Sequence, residues 1–249
     1  MTVDKKREVL IKLKDSKEMF VLMSACTRAP HVTCDPETFD DEVYIFFKEE
    51  DAKAEVDILR KEGHPVQIVK IGDKGRLGFY MNLHSIGVNC IVTDKDTEHE
   101  MAVQLNELVK KREPKNAEEE KLQIENPQLH LTALYFMQKL RAAKNPEMTD
   151  EMKELYEEMM AHFQKGRFIL AAKEDNQLPL LKQKDEKVFL PVFTDIQEFG
   201  RFAQARKEEK IKAIAVEASK LPGLVTKGIS GIVLNPFGVN VPIQMKLKK

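Results

Sequence analysis

The feature that most restricts how this chain can fold is an internal echo. Residues 83–90 read LHSIGVNC and residues 234–241 read LNPFGVNV, sharing Leu, Gly, Val and Asn at the same places. Two apolar runs precede each copy in the same order. MFVLMSA (19–25) answers to RFILAAK (167–173), and EVYIFF (42–47) to KVFLPVF (187–193). This sets Phe20 over Phe168, Val43 over Val188 and Gly87 over Gly238, with length changes falling in polar segments. Collinear self-similarity of this kind is the signature of a duplicated structural unit. The expected fold is therefore α/β (α+β): two related modules, each a small mixed β-sheet with packed helices, joined by a helical linker.

Each module starts with a charged helix, DKKREVLIKLKDS or DEMKELYEEMMAHFQ, the second capped by Thr149 ahead of Asp150 and Glu151. The apolar runs read as buried strands, because they are dense in β-branched and aromatic residues and do not alternate. An amphipathic helix follows, EEDAKAEVDILRKE or DIQEFGRFAQARKEE. The second puts Ile196, Phe199, Phe202 and Ala203 on one face, with Thr194 and Gln197 spaced as a capping box. A third strand, PVQIVKI or IKAIAVEA, leads through turn-rich residues to the echoed segment, read as strand, glycine turn, strand.

These elements place the first module at 1–94, the linker at 95–147 and the second module at 148–249. Within the linker, DTEHEMAVQLNELVKK predicts a helix running to Pro114 and QLHLTALYFMQKLRAAKN a second one. The apolar stripe of that second helix is Leu131, Leu134, Tyr135, Met137 and Leu140. The run KREPKNAEEEK (111–121) reads as a solvated connection and the terminal KLKK as a solubilising tail.

The 40 basic and 41 acidic residues among 249 leave a net charge of −1, so no positive field gathers nucleic acid or an acidic membrane surface. No segment approaches the roughly 20 apolar residues that span a bilayer. The charged N-terminal stretch has no secretory apolar core. Cys26, Cys34 and Cys90 do not form a disulfide framework, which fits a reducing, cytoplasmic setting.

The Asn-Pro-Phe-Gly segment specifies a turn: proline fixes its own φ, biases Asn235 towards extended backbone, and Gly238 is expected at positive φ. Gly87 and Gly238 are thus the expected structural turn positions. The candidate binding surface is Asn235, Pro236, Phe237, Gly238 and Asn240, with Phe237 as an aromatic anchor for a partner. Cys26, His31 and Cys34 in CTRAPHVTC are an alternative metal cluster, although their spacing matches no familiar zinc knuckle. No phosphate-binding glycine loop is present, no cofactor is expected and no catalytic residue stands out.

Taken together, VFLPVFTDIQEFGRF (188–202) and GIVLNPFGVNVPI (231–243) resemble the SseB N-terminal domain family, named after the bacterial enhanced serine sensitivity protein. The resemblance covers the second half directly, and the first half through its likeness to the second. It implies an α/β module of the bacterial cytoplasm, with no family catalytic residues to carry over. The expected role is a non-enzymatic interaction or regulatory module with an unknown protein partner, built as an internal pseudo-dimer and compatible with a homo-oligomer. The rival reading is a small-molecule-binding protein or enzyme with a pocket between the modules.

Overall fold

Two sheets of one strand order dominate the structure, a computed structural model that describes residues 3–110, 123–142, 147–183 and 186–245. The 111–121 run and the KLKK tail lie outside the described residues. The chain divides into two compact units. One comprises residues 1–112 and 134–148, the other 113–133 and 149–249. No helix among the described residues is long and apolar enough to cross a membrane.

The first unit runs α1 (Val3–Asp15), β1 (Glu18–Ser24), β2 (Thr33–Cys34), β3 (Asp41–Phe46), α2 (Glu49–Lys61), β4 (Val66–Gly72), α3 (Asp73–Ser85), β5 (Cys90–Thr93), β6 (Met101–Gln104) and α4 (Leu105–Leu108). Next comes α5 (Pro127–Ala142), whose residues from 134 onward belong to this unit and whose earlier residues belong to the second. The second unit continues with α6 (Asp150–Lys165), β7 (Arg167–Ala172), β8 (Leu181–Lys182), β9 (Val188–Phe193), α7 (Ile196–Ala205), β10 (Lys212–Glu217), α8 (Leu221–Leu224), β11 (Gly231–Leu234) and β12 (Val241–Gln244).

The sheet orders are β4-β1-β3-β5-β6 with β2 on β3, and β10-β7-β9-β11-β12 with β8 on β9. In both sheets one central pair is parallel, β3 with β5 and β9 with β11, and the other pairs are antiparallel. Each sheet buries one face under the helix that follows its central strand. Phe20, Leu22 and Phe46 pack on Ala52, Val56 and Leu59 of α2, while Ile169, Ala171 and Phe193 pack on Phe199 and Phe202 of α7.

Strand register gives the true correspondence between the halves. Phe20 pairs with Phe46 as Ile169 pairs with Phe193, and Ile45 pairs with Thr93 as Val192 pairs with Leu234. Phe20 therefore answers to Ile169 and Val43 to Leu190, one and two residues away from the sequence superposition. The runs are buried on both faces, so their patterns carry no period-two signal that could pin register. Gly87 and Gly238 do not correspond at all, because Gly87 precedes strand β5 and Gly238 follows strand β11. The position that answers to Gly87 is Gly228, each three residues ahead of its strand and each at φ near 90°.

Three elements differ from the sequence expectation. Asp73–Ser85, read as turn-rich residues leading into the first strand of the echoed segment, is helix α3. Its Gly75 and Gly78 lower its intrinsic propensity, and tertiary bonds hold it instead. Tyr80 donates to the Leu13 carbonyl at 2.8 Å, and the Arg76 guanidinium donates to the Lys14 and Ser16 carbonyls, so that α3 satisfies the orphan C-terminal acceptors of α1. Met101–Gln104, expected within a helix, is the edge strand of the first sheet, paired with β5. Helix α5 forms as expected but buries Leu129, His130, Thr132, Ala133, Leu134, Phe136, Met137 and Gln138 around its circumference, in place of one stripe.

Candidate functional site

In the second unit, β9 and β11 run parallel, and the carboxyl ends of such strands are where ligand crevices form in mixed sheets. That place is filled by a polar hub. Asn235, the residue after β11, takes a left-handed φ of 46°, a conformation asparagine tolerates better than most residues. Its Oδ1 accepts from the Thr194 backbone N–H at 3.0 Å, and its Nδ2 donates to Thr194 Oγ1 at 2.8 Å. The Thr194 hydroxyl in turn donates to Asp195 Oδ2 at 2.7 Å. His130 Nδ1 lies 3.2 Å from Thr194 Oγ1 and 3.4 Å from Asp195 Oδ2. A hydroxyl has one proton to give, and Asp195 takes it, so the accounting places a proton on His130 Nδ1. Asn126 Nδ2 closes the hub by donating to the carbonyls of Thr194 and Arg167.

A histidine, an aspartate and a hydroxyl in contact invite a nucleophilic reading, which the geometry does not support. In a catalytic triad the imidazole bridges nucleophile and acid through its two different nitrogens. Here one nitrogen faces both groups, and the hydroxyl gives its proton straight to the carboxylate. His130, Thr194, Asp195 and Asn235 are each at most 1% exposed. The hub organises the start of α7: Asp195 is the N-cap, its Oδ1 accepting from the Gln197 and Glu198 N–H groups at 2.9 Å. Burial alone would raise the Asp195 carboxyl. The His130 contact, the Glu198 N–H and the Thr194 hydroxyl outweigh it and hold the group below its ordinary range.

Glu198 is the second buried acid. Its Oε1 accepts from Arg201 at 2.6 Å, while Oε2 has no hydrogen-bond partner. Burial raises its carboxyl, against the pull of His130 and Arg201. Gly238 lies against this carboxylate: a Cβ there would sit 2.6 Å from Glu198 Oε2. Gly238 is not at positive φ, contrary to the sequence expectation. The left-handed positions of the turn are Asn235 and Asn240, and the glycine is needed for close approach.

Of the five residues proposed as a surface, Asn235 and Gly238 are buried, Pro236 and Asn240 half-buried, and Phe237 is 36% exposed. The Phe237 ring packs on Phe202, centroids 5.8 Å apart. Ile196, expected on the apolar face of α7, is instead 61% exposed, whereas Phe199 and Phe202 are buried as expected. The cap is Asp195 and not Thr194, while Thr149 caps α6 as read, accepting from Met152 N–H. Cys34 is exposed while Cys26 and His31 are buried, and among the described residues no group of three His, Cys, Asp or Glu side chains could hold a metal ion. Sequence reasoning missed His130, Asp195, Glu198 and Asn126. The only local signal was the Thr-Asp-x-x-Glu start of α7.

The first unit repeats the hub in reduced form. Asp94 follows β5 at φ 46° and its Oδ1 accepts from Phe47 N–H at 2.9 Å. Since Phe47 stands where Thr194 stands, no hydroxyl needs a second donor, and a carboxylate suffices. On α2, Glu55 occupies the place of Phe202.

No match was found among curated proteins. Two solved structures show likeness across most of the chain. Tic22 from Plasmodium falciparum is 13% identical over 90% of each chain with a TM-score of 0.23. Anabaena Tic22 (protein transport) is 12% identical over 93% of each chain, also at 0.23. Likenesses this distant say nothing of what this chain does. Residues 139–246, which hold α6, α7, most of the hub and the Phe237 turn, match the family described as SseB protein N-terminal domain, so this region of the chain is similar to that domain.

Proposed function

We propose that the chain is a non-catalytic, cytoplasmic bacterial interaction protein made of two copies of an SseB-type domain, with the α7 start and the Phe237 turn of the second copy as its docking surface. The shared strand order of the two sheets supports the duplication. The observation that carries the docking role is the contrast at this turn. The polar groups are buried and committed to holding the backbone, while Ile196 at the start of α7 and Phe237 against Phe202 are left exposed. A rigid frame presenting apolar side chains is what a protein-binding hot spot requires. Three cysteines without a disulfide among them agree with a reducing compartment.

The test is a photo-crosslinking amino acid placed at position 237 in cells, with position 77 as control, since Leu77 is also exposed, at 64%. A discrete adduct at 237 that is lost on Ile196→Asp supports the surface. Equal, diffuse labelling at both positions removes it.

A further inference from the structure

We propose that the first unit carries a binding site for a small oxyanion, the carboxylate or phosphate group of a metabolite, in the cavity at the C-terminal end of α2. The cavity measures about 410 Å³ and is lined by Arg60, Gly63, His64, Pro65 and Gln67, with Ala25 and Val66 of the adjoining strands and Ala142 of α5. Its ionisable lining residues, Arg60 and His64, are both basic, and no Asp or Glu side chain lines it. The carbonyls of Ile58, Leu59 and Arg60 at the end of α2 already accept from the N–H groups of Glu62, His64 and Gly63, so the charges of Arg60 and His64 have only a partly engaged helix end to outweigh. Arg60 uses one guanidinium nitrogen on the Val66 carbonyl at 3.0 Å, and a guanidinium has five donors.

Behind this lining lies a polar ring short of full hydrogen bonds. The His31 ring stands 5.2 Å from that of His64, is 4% exposed, and neither of its nitrogens makes a hydrogen bond of full geometry, although the Gln138 side chain lies close enough to act on it. Buried donors and acceptors are almost always satisfied, so a buried ring without full hydrogen bonds, in contact with a histidine that lines the cavity, marks a place that an ion, a ligand or water completes. Burial first, and then the charge of His64, hold the His31 imidazole down at about 4. An oxyanion in the cavity can take hydrogen bonds from the Arg60 guanidinium and from a ring N–H of His64.

The experiment is an NMR titration of the full chain, following the histidine ring and arginine side-chain signals. Inorganic phosphate is added in one series and succinate in another, each against sodium chloride at matched ionic strength. The expected result is a saturable shift at His64, carried to His31, with the tighter series identifying the oxyanion. Binding should weaken about tenfold or more in Arg60→Gln and be retained in Arg60→Lys. Should Arg60→Gln fail to fold, His64→Gln, which removes no direct hydrogen bond of the fold, carries the same expectation. Shifts that stay linear in both series, or saturation unchanged in the Gln variants, overturn the proposal.

Discussion

Replacing Asn235 by alanine is the sharpest test of the hub, because the side chain both accepts from the Thr194 N–H and donates to the Thr194 hydroxyl. Removing Oδ1 leaves the Thr194 N–H buried without an acceptor, at about 1–3 kcal/mol. Removing Nδ2 deprives Thr194 Oγ1 of one donor; since His130 and Asp195 still contact that oxygen, this costs under about 1 kcal/mol. Holding alanine at φ 46° adds about 1 kcal/mol. The sum is about 2–5 kcal/mol, or a factor of about 30 or more in the opening equilibrium. Asn235→Asp behaves differently. It keeps the acceptor and the left-handed preference, but removes the amide donor to Thr194 Oγ1 and sets a second buried carboxylate near Asp195. Burial and Asp195 both raise the new group's pKa, so its penalty is present at neutral pH and shrinks as the pH falls and the group takes up a proton. The assay is urea unfolding followed by far-UV circular dichroism, with hydrogen exchange by mass spectrometry on peptides covering β9 and β11 to read the second unit itself. An Asn235→Ala protein within about 0.5 kcal/mol of the parent, with unchanged exchange at Thr194, would refute the structural role of this residue.

Other expectations follow from the same geometry. Gly238→Ala should cost about 1–3 kcal/mol by driving a Cβ into the Glu198 carboxylate, and Glu198→Ala in the same chain should remove part of that cost; strict additivity in a double-mutant cycle would show that the two do not meet. Asp195→Ala should destabilise by about 1–2 kcal/mol through loss of the α7 cap. Because the Asp195 carboxyl is held below its ordinary range, its contribution is present above that range and lost as pH falls through the folded value, so the variant's stability should fall less in acid than the parent's. Glu55, buried where the second unit has Phe202, has its carboxyl pushed up to about 7 by burial first and then by Asp96. A folded value above the ordinary 4.5 means stability that is full below 4.5 and drains as pH rises through 7. Glu55→Gln should therefore be more stable than the parent at pH 8 by an amount on the order of 1–2 kcal/mol, allowing for solvent screening, and equal to it at pH 4; parallel pH curves would contradict this.

The architecture was legible because the order of apolar runs survives in both halves, and α2, α7 and the strands β1, β3, β4, β7, β9 and β10 fall where their patterns put them. Register was not legible, because Met19 to Leu22 and Phe168 to Ala172 are buried on both faces, and a one-residue slide costs no visible pattern. A separate error came from the shared Leu, Gly, Val and Asn of the echoed segments, which aligned Gly87 with Gly238 in place of Gly228 and so concealed that Asp94 is the partner position of Asn235. Helix α3 was hidden because its stability comes from Arg76 and Tyr80 reaching carbonyls sixty or more residues away, a contact that local propensity cannot register. His130 lies in a different helix from its partners and joins them only in the fold.

The exchange of Asn235 for Asp94 follows from one neighbouring residue. Both side chains anchor the backbone N–H that follows the central strand, at 3.0 and 2.9 Å, and both sit at φ 46°. A carboxylate meets that single demand in the first unit, where the anchored residue is Phe47. In the second unit the anchored residue is Thr194, whose hydroxyl already gives its proton to Asp195, so the anchor must bring a donor as well, and only the amide does so without adding charge. The same substitution pattern extends outward: Lys48 stands where Asp195 caps α7, and α2 has no side-chain cap. The Thr194–Asp195–His130 network is thus a property of the second unit. Installing threonine at Phe47 alone would bury a hydroxyl beside the Asp94 carboxylate, where it can donate and be satisfied, but the amide donor, the cap and the imidazole would each still be missing. Lys48→Asp alone should give α2 the side-chain cap it lacks, because Lys48 already holds extended N-cap backbone, whereas Phe47→Thr or Asp94→Asn alone should leave α2 no better capped than it is now.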